Sequence, residues 1–194
     1  MSNAYRTKNS TGLINKNKKI NFSFNGHTYH GYEGDTLASA LISNGIHLIG
    51  RSFKYHRPRG FLGVGVEEPN AMVQLHEGNK SEPNIMATEV ELVEGLKAKS
   101  QNCWPSVQFD IGEVNNLLNR FFPAGFYYKT FMWPKSFWMK IYEPFIRKAA
   151  GMGVAPLQPD PDRYEHNYEH CDVLVVGSGP SGLASALAAA KNGA

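Results

Sequence analysis

Cysteine is nearly missing from this sequence. Cys103 and Cys171 are the only two in 194 residues, far apart and in no C-x-x-C pattern. That scarcity excludes a disulfide framework and a metal knuckle, and it fits a reducing, cytoplasmic setting. Long apolar runs are missing too. No stretch approaches the ~18 residues of a membrane helix, and the opening MSNAYRTKNSTG has no apolar core of a signal peptide, so neither a membrane span nor export is expected. Acid is short at one end only. Residues 1 to 60 hold nine Lys or Arg against two Asp or Glu, the remainder eleven against fifteen, for a net charge of +3. The basic stretch carries no nucleic-acid-binding pattern, so nucleic acid is not an expected partner.

Apolar residues are plentiful. At 42% hydrophobic and 19% charged, the chain has the composition of a globular protein. Its length suits one to two domains on the rule of about 100 to 200 residues each.

The first segment, residues 1–18, reads as a basic arm. An alternating run, Ile20, Phe22 and Phe24, then ends at Asn25-Gly26, which is a hairpin signal, and His27 to Tyr32 is the return strand. Asp35 is placed to cap a helix through Leu37, Ala40 and Leu41, with a stop at Asn44-Gly45. Two further strands are expected over Ala71 to His76 and Ala87 to Val93, separated by the loop EGNKSEPN. A hairpin followed by a packed helix opens a β-grasp domain, assigned to residues 19–99.

Between helix and strand lies GRSFKYHRPRGFLGVGVEEPN, where a β-grasp ferredoxin would wrap a two-iron two-sulfur cluster in cysteines. Here the loop offers Glu67, Glu68 and Asn70, hard oxygen groups unsuited to that chemistry, so no iron-sulfur cluster is expected. Arg51, Lys54, Arg57 and Arg59 concentrate positive charge in the same loop. They suit a phosphate, a carboxylate or an acidic neighbour, and pinning by salt bridges at an interface is favoured over a substrate role.

Residues 100–170 form an aromatic-rich, helical connector. Phe126, Tyr127, Tyr128, Trp133 and Trp138 stand among Pro123, Pro134 and Pro144, a density that calls for burial against another domain or subunit. GVAPLQPDPD reads as an exposed turn. His166 and His170 are four apart and would share a helix face, but no third ligand is fixed, so no metal site is expected. His27, His30 and His56 read as surface or hydrogen-bonded residues.

Residues 171–194 carry the strongest chemical signal. Asp172 to Val176 read as a buried strand, Gly177-Ser178-Gly179-Pro180-Ser181-Gly182 matches G-x-G-x-x-G, and an alanine-rich helix follows to Asn192-Gly193. The first glycine permits the turn, the second admits a pyrophosphate, and the third lets helix pack on strand. The acidic ribose ligand, about 20 residues further on, has no counterpart before Ala194. The half-unit is therefore not expected to bind a dinucleotide alone, and the chain reads as the amino-terminal part of a longer polypeptide. The fold class is α+β: a cluster-free, ferredoxin-like β-grasp domain, the connector, and the first strand-turn-helix of a Rossmann-type FAD/NAD-binding α/β domain.

The segments GDTLASALISNG, GRSFKYHRPRG, EEPNAMVQL, AGFYYKTFMWP, YEPFIRKAAGMG and HCDVLVVGSGPSGLASALAAAKNGA, in that order, resemble the start of the alpha subunits of heterotetrameric sarcosine oxidases, from about Gly12 to Ala194. Related alpha subunits of hydrogen cyanide synthase and opine-type dehydrogenases keep cluster cysteines where this chain reads FLGVGVEEPN, which favours the sarcosine oxidase branch. The resemblance implies oxidation of sarcosine to glycine, transfer of the methyl carbon to tetrahydrofolate, and release of hydrogen peroxide. It implies FAD and FMN on the beta subunit or its interface, beta, gamma and delta subunits as partners, and NAD on this chain. Carried over by position, Gly177, Ser178, Gly179, Pro180, Ser181 and Gly182 hold the NAD pyrophosphate, and no catalytic residue falls in these positions. The competing reading is a non-catalytic β-grasp scaffold that docks on a flavin-dependent amine oxidase or dehydrogenase.

Overall fold

A computed structural model describes residues 5–7, 12–122, 124–125 and 131–194. The chain divides into two units, Met1–Asp160 and Pro161–Ala194.

The first unit begins with the expected hairpin. Strands β1 (Asn15–Phe24) and β2 (His27–Glu33) pair antiparallel, with Phe24 opposite His27 and Ile20 opposite Gly31. Asn25 and Gly26 carry positive φ of 51° and 79°, the conformation that two-residue hairpin turns require. The period of two sends Ile20, Phe22 and Phe24 inward, where all three are buried. Helix α1 (Leu37–Ser43) packs on that face through Leu37, Ala38, Ala40 and Leu41. Burial of a side chain such as Phe22 or Leu41 contributes about 1.5–3 kcal/mol. A Cβ on Gly31 would run into Leu92 and crowd Ala40 of the helix.

The helix cap differs from expectation. Thr36, not Asp35, is the N-cap: its side chain accepts from the Ser39 N–H while the Ser39 hydroxyl accepts from the Thr36 N–H. Asp35 is buried one position earlier. Its carboxylate accepts from the Tyr32 N–H, the Ser39 hydroxyl and two nitrogens of Arg6. Part of the basic arm is thus tied down, and Tyr5 meets His47 edge to face at 5.2 Å.

The remaining strands are β3 (Gly50–Arg51), β4 (Pro58–Arg59), β5 (Met72–Leu75), β6 (Glu82–Met86) and β7 (Lys97–Ser100). β3 and β4 pair only with each other, whereas the main sheet runs β2-β1-β7-β5-β6. The strand expected over Ala87 to Val93 does not form. Its apolar residues Ala87, Val90 and Leu92 are buried, but the segment serves the helix start: the Leu37 and Ala38 N–H groups donate to the Val90 and Ala87 carbonyls. Those are donors that a helix leaves unsatisfied in its first turn. The strand instead occupies Glu82–Met86, beginning inside the stretch EGNKSEPN read as loop, and β7 takes the centre of the sheet, parallel to β1 and antiparallel to β5.

Of the connector, residues 100–160 lie in the first unit and 161–170 in the second; the first part holds short helical turns, α2 (Val114–Leu117), a π-turn at Trp138–Tyr142 and α3 (Glu143–Ala149). Pro123, Phe126, Tyr127 and Tyr128 lie outside the described residues. Within this chain Phe121, Trp133 and Phe145 are 75%, 83% and 67% exposed, as side chains that await another domain or subunit would be.

The second unit holds helix α4 (Pro180–Lys191). Asp172 to Val176 form no strand. A strand needs a paired neighbour to satisfy its backbone, and no strand of this unit lies beside them among the described residues.

Candidate functional site

Gly177 to Gly182 lead from irregular chain into α4. Gly177 has φ of +110°, open to glycine and strained for any other residue. A Cβ on Gly182 would strike the Gly177 carbonyl, so the turn and the helix meet where only glycine fits. Gly179 is the N-cap of α4, with nothing within 4 Å of its Cβ position. Pro180 stands in the first turn, where a missing N–H costs nothing. Ser178 and Ser181 are exposed beside these glycines. His166 and His170 lie in irregular chain, so no helix aligns their rings. No group of three His, Cys, Asp or Glu suited to a metal occurs among the described residues.

The loop between β4 and β5 is built around two carboxylates. Glu68 is fully buried, and its Oε2 accepts from the N–H groups of Leu62 at 2.6 Å and Gly63 at 2.5 Å, while Oε1 accepts from Asn70 at 2.7 Å. Glu67 accepts from Val64 at 2.8 Å and Gly65 at 3.0 Å. Burial pushes the Glu68 carboxyl up, but the donors from Gly63, Leu62, Asn70 and Ala71 outweigh it and hold it below the ordinary value. Glu67 is held low by the N–H groups of Val64, its own residue and Gly65. The Thr88 hydroxyl donates to the Gly65 carbonyl at 2.9 Å and ties the loop to the body.

The basic residues upstream are engaged within the chain. Arg51 is buried and donates to the carbonyls of Val107, His56 and Gln108 and to the Glu113 carboxylate at 3.1 Å. Arg57 donates to Asn116 at 2.7 Å and lies 4.7 Å from the centre of the Tyr55 ring, with Lys54 at 4.9 Å. His56 Nδ1 stands 2.6 Å from the buried Asp110. This pair had no sequence signal, since 54 positions separate its members. Arg59 is exposed on β4. Cys103 is half-buried, its thiol pushed up by burial and by Asp110, against a smaller opposing effect of Arg51, whereas Cys171 is exposed.

The chain is 58% identical over 183 residues, 94% of its length, to sarcosine oxidase subunit alpha of Rhizobium meliloti (strain 1021). This chain is similar to sarcosine oxidase alpha subunits. Two further alpha subunits, from Corynebacterium strains U-96 and P-1, are each 31% identical over 93% of the chain. The chain spans 18% of the Rhizobium alpha subunit and 14% of each Corynebacterium one. Residues 17–103 match the family described as 2Fe-2S iron-sulfur cluster binding domain. A crystal structure of L-proline dehydrogenase from P. horikoshii is similar at 26% identity and TM-score 0.34, covering 43% of this chain and 16% of that one.

The domain match names a group that the residues present do not fit. A two-iron cluster is held by four thiolate ligands, or by imidazoles in place of two of them. This chain has two cysteines, Cys103 in the first unit and Cys171 in the second. The β4–β5 loop, meanwhile, is filled by its own glutamates.

Among the described residues no helix is long and apolar enough to cross a membrane.

Proposed function

We propose that these residues form part of the alpha subunit of a sarcosine oxidase, a flavin-dependent, amine-oxidising assembly. The observation that carries this is 58% identity over 94% of the chain to the Rhizobium alpha subunit. In that assembly sarcosine is oxidised to an imine, its methyl carbon passes to tetrahydrofolate, and oxygen takes the electrons as hydrogen peroxide, leaving glycine. Beta, gamma and delta subunits are the partners, with FAD and FMN on the beta subunit or its interface, in the cytoplasm. No residue of this chain is assigned a catalytic role.

The part assigned to the chain is binding and positioning. Its first unit is read as a β-grasp domain without a cluster, and Gly177 to Gly182 as the seat of an NAD pyrophosphate at the start of a Rossmann-type domain. The positive φ of Gly177, the open space at Gly179 and the start of α4 without a side-chain cap support that seat. Bound nicotinamide would supply hydride chemistry. The exposed aromatics of the connector favour a second reading, a docking scaffold without a nucleotide.

A chimera separates the two. This chain replaces the matching segment of the Rhizobium alpha subunit, which is expressed with its partner subunits. Sarcosine-dependent peroxide release with bound NAD, and loss of the NAD in Gly179→Val, are expected. An assembled chimera that keeps its NAD in that variant would assign the glycines no ligand role. A chimera that does not assemble would remove the chain from this family's function.

A further inference from the structure

The β4–β5 loop holds a run of backbone donors that need an anion. The N–H groups of Leu62, Gly63, Val64 and Gly65 are successive, and all four end on carboxylate oxygens of Glu67 or Glu68. Successive N–H groups turned toward one side form a concavity that binds anions, and such concavities surround phosphates and iron-sulfur clusters. The domain match covers this loop and names such a cluster, yet four thiolates are not present to hold one. The inner two of these bonds, at Leu62 and Gly63, are part-buried, where a donor left unpaired costs free energy.

Glu68 supplies the anion from within the chain. Its side chain is fully buried, three N–H groups donate to it at 2.5 to 2.7 Å, and those donors hold its carboxyl in the charged form. Glu67 serves the outer half of the run, where a Cβ on Gly63 or Gly65 would come within 2.8 or 2.9 Å of its carboxylate. Glycine at both positions lets the backbone close on the side chain. We infer that this loop is an anion site whose resident ligand is the Glu68 carboxylate, within the stretch that matches the two-iron cluster domain. This rests on the reading that the domain carries no cluster.

The test is amide exchange of the 194-residue protein and its Glu68→Ala variant, read at Leu62, Gly63 and Asn70, with Phe22 and Tyr29 reporting whether the core stays folded. Exchange at the three loop amides is expected to rise about tenfold in the variant, the effect of losing charge-assisted bonds, with the core amides unchanged. Excess formate should enter the vacated site and slow exchange again, whereas formamide, similar in shape and neutral, should not. Wild-type rates in the variant, or equal rescue by formamide, would overturn the inference. Should Glu68→Ala lose its core protection, Glu68→Gln serves instead. It keeps the volume and removes the charge, so faster loop exchange is expected and wild-type rates count against the proposal. Iron content and visible absorbance of the wild-type protein are measured alongside, because a bound cluster would sink the cluster-free reading itself, whatever the exchange rates.

Discussion

Arg6 grips Asp35 through two bonds, Nη1 to Oδ1 at 3.1 Å and Nη2 to Oδ2 at 2.6 Å, across 29 positions of sequence. Nη2 also reaches the Ser43 hydroxyl at 3.1 Å, so one guanidinium joins the start and the end of α1. The Asp35 side chain is fully buried and that of Arg6 is 12% exposed. Removing the cation would strand a buried charge. Arg6→Ala is expected to lower unfolding stability by about 3 kcal/mol in urea titration, with Arg6→Lys between, because an ammonium cannot span both oxygens. A loss under about 1 kcal/mol would mean that Tyr32 and Ser39 satisfy Asp35 unaided.

The His56–Asp110 pair closes the segment that follows the sheet. Asp110 also accepts the N–H groups of Trp104 and Gly112, at 3.0 and 3.1 Å. Loss of the imidazole should loosen residues 103–113 at a cost of about 1–3 kcal/mol. His56→Ala should therefore be cut faster at Phe109 by chymotrypsin, at unchanged sheet content by circular dichroism. Unchanged cleavage would show that the two N–H donors are enough.

Glu67 and Glu68 both lie below the ordinary carboxylate value of 4.5. A depressed carboxyl adds stability that is present above the unfolded value and is lost as pH falls through the lower folded one. Stability should therefore fall below about pH 4.5, and the gap between wild type and Glu68→Gln should narrow in the same window. Urea midpoints at pH 7 and pH 4 measure this. Parallel curves would remove Glu68 from the linkage.

Leu117, Phe121 and Trp133 are exposed at 82%, 75% and 83%. Apolar residues gathered on one segment promote association. The isolated protein is expected to self-associate with rising concentration in sedimentation velocity, and Leu117→Glu with Phe121→Glu to reduce that. A compact monomer at high concentration would show that these side chains are not adhesive.

The sequence was most legible where the signal is local. Asn25-Gly26 fixed the hairpin, and Asn44-Gly45 marked the end of α1. Asp35 was misread as a cap because its partner Arg6 lies far upstream, while Thr36 and Ser39 form the box beside it. Ala87, Val90 and Leu92 have strand-like composition, but their burial comes from covering α1. Lys97–Ser100 gave no signal, since a central strand showing only Ala98 as an apolar residue has little hydrophobic pattern to read. At the site, Glu67 and Glu68 were recognised as poor iron ligands. Their bonds to the loop's own backbone were not legible, because N–H direction is a property of conformation and not of residue type.

The place of β7 has a consequence for synthesis. Phe24 lies beside Ala98 in the sheet, so the first strand waits for a neighbour made 74 residues later. At about 5–20 residues per second, that is roughly 4 to 15 s on the ribosome with β1 lacking its second neighbour in the sheet. Until Ser100 emerges, the nascent chain offers a chaperone an apolar surface, and mutations in the polar segment Lys97–Ser100 should act on yield in the cell more than on the stability of molecules that finish folding.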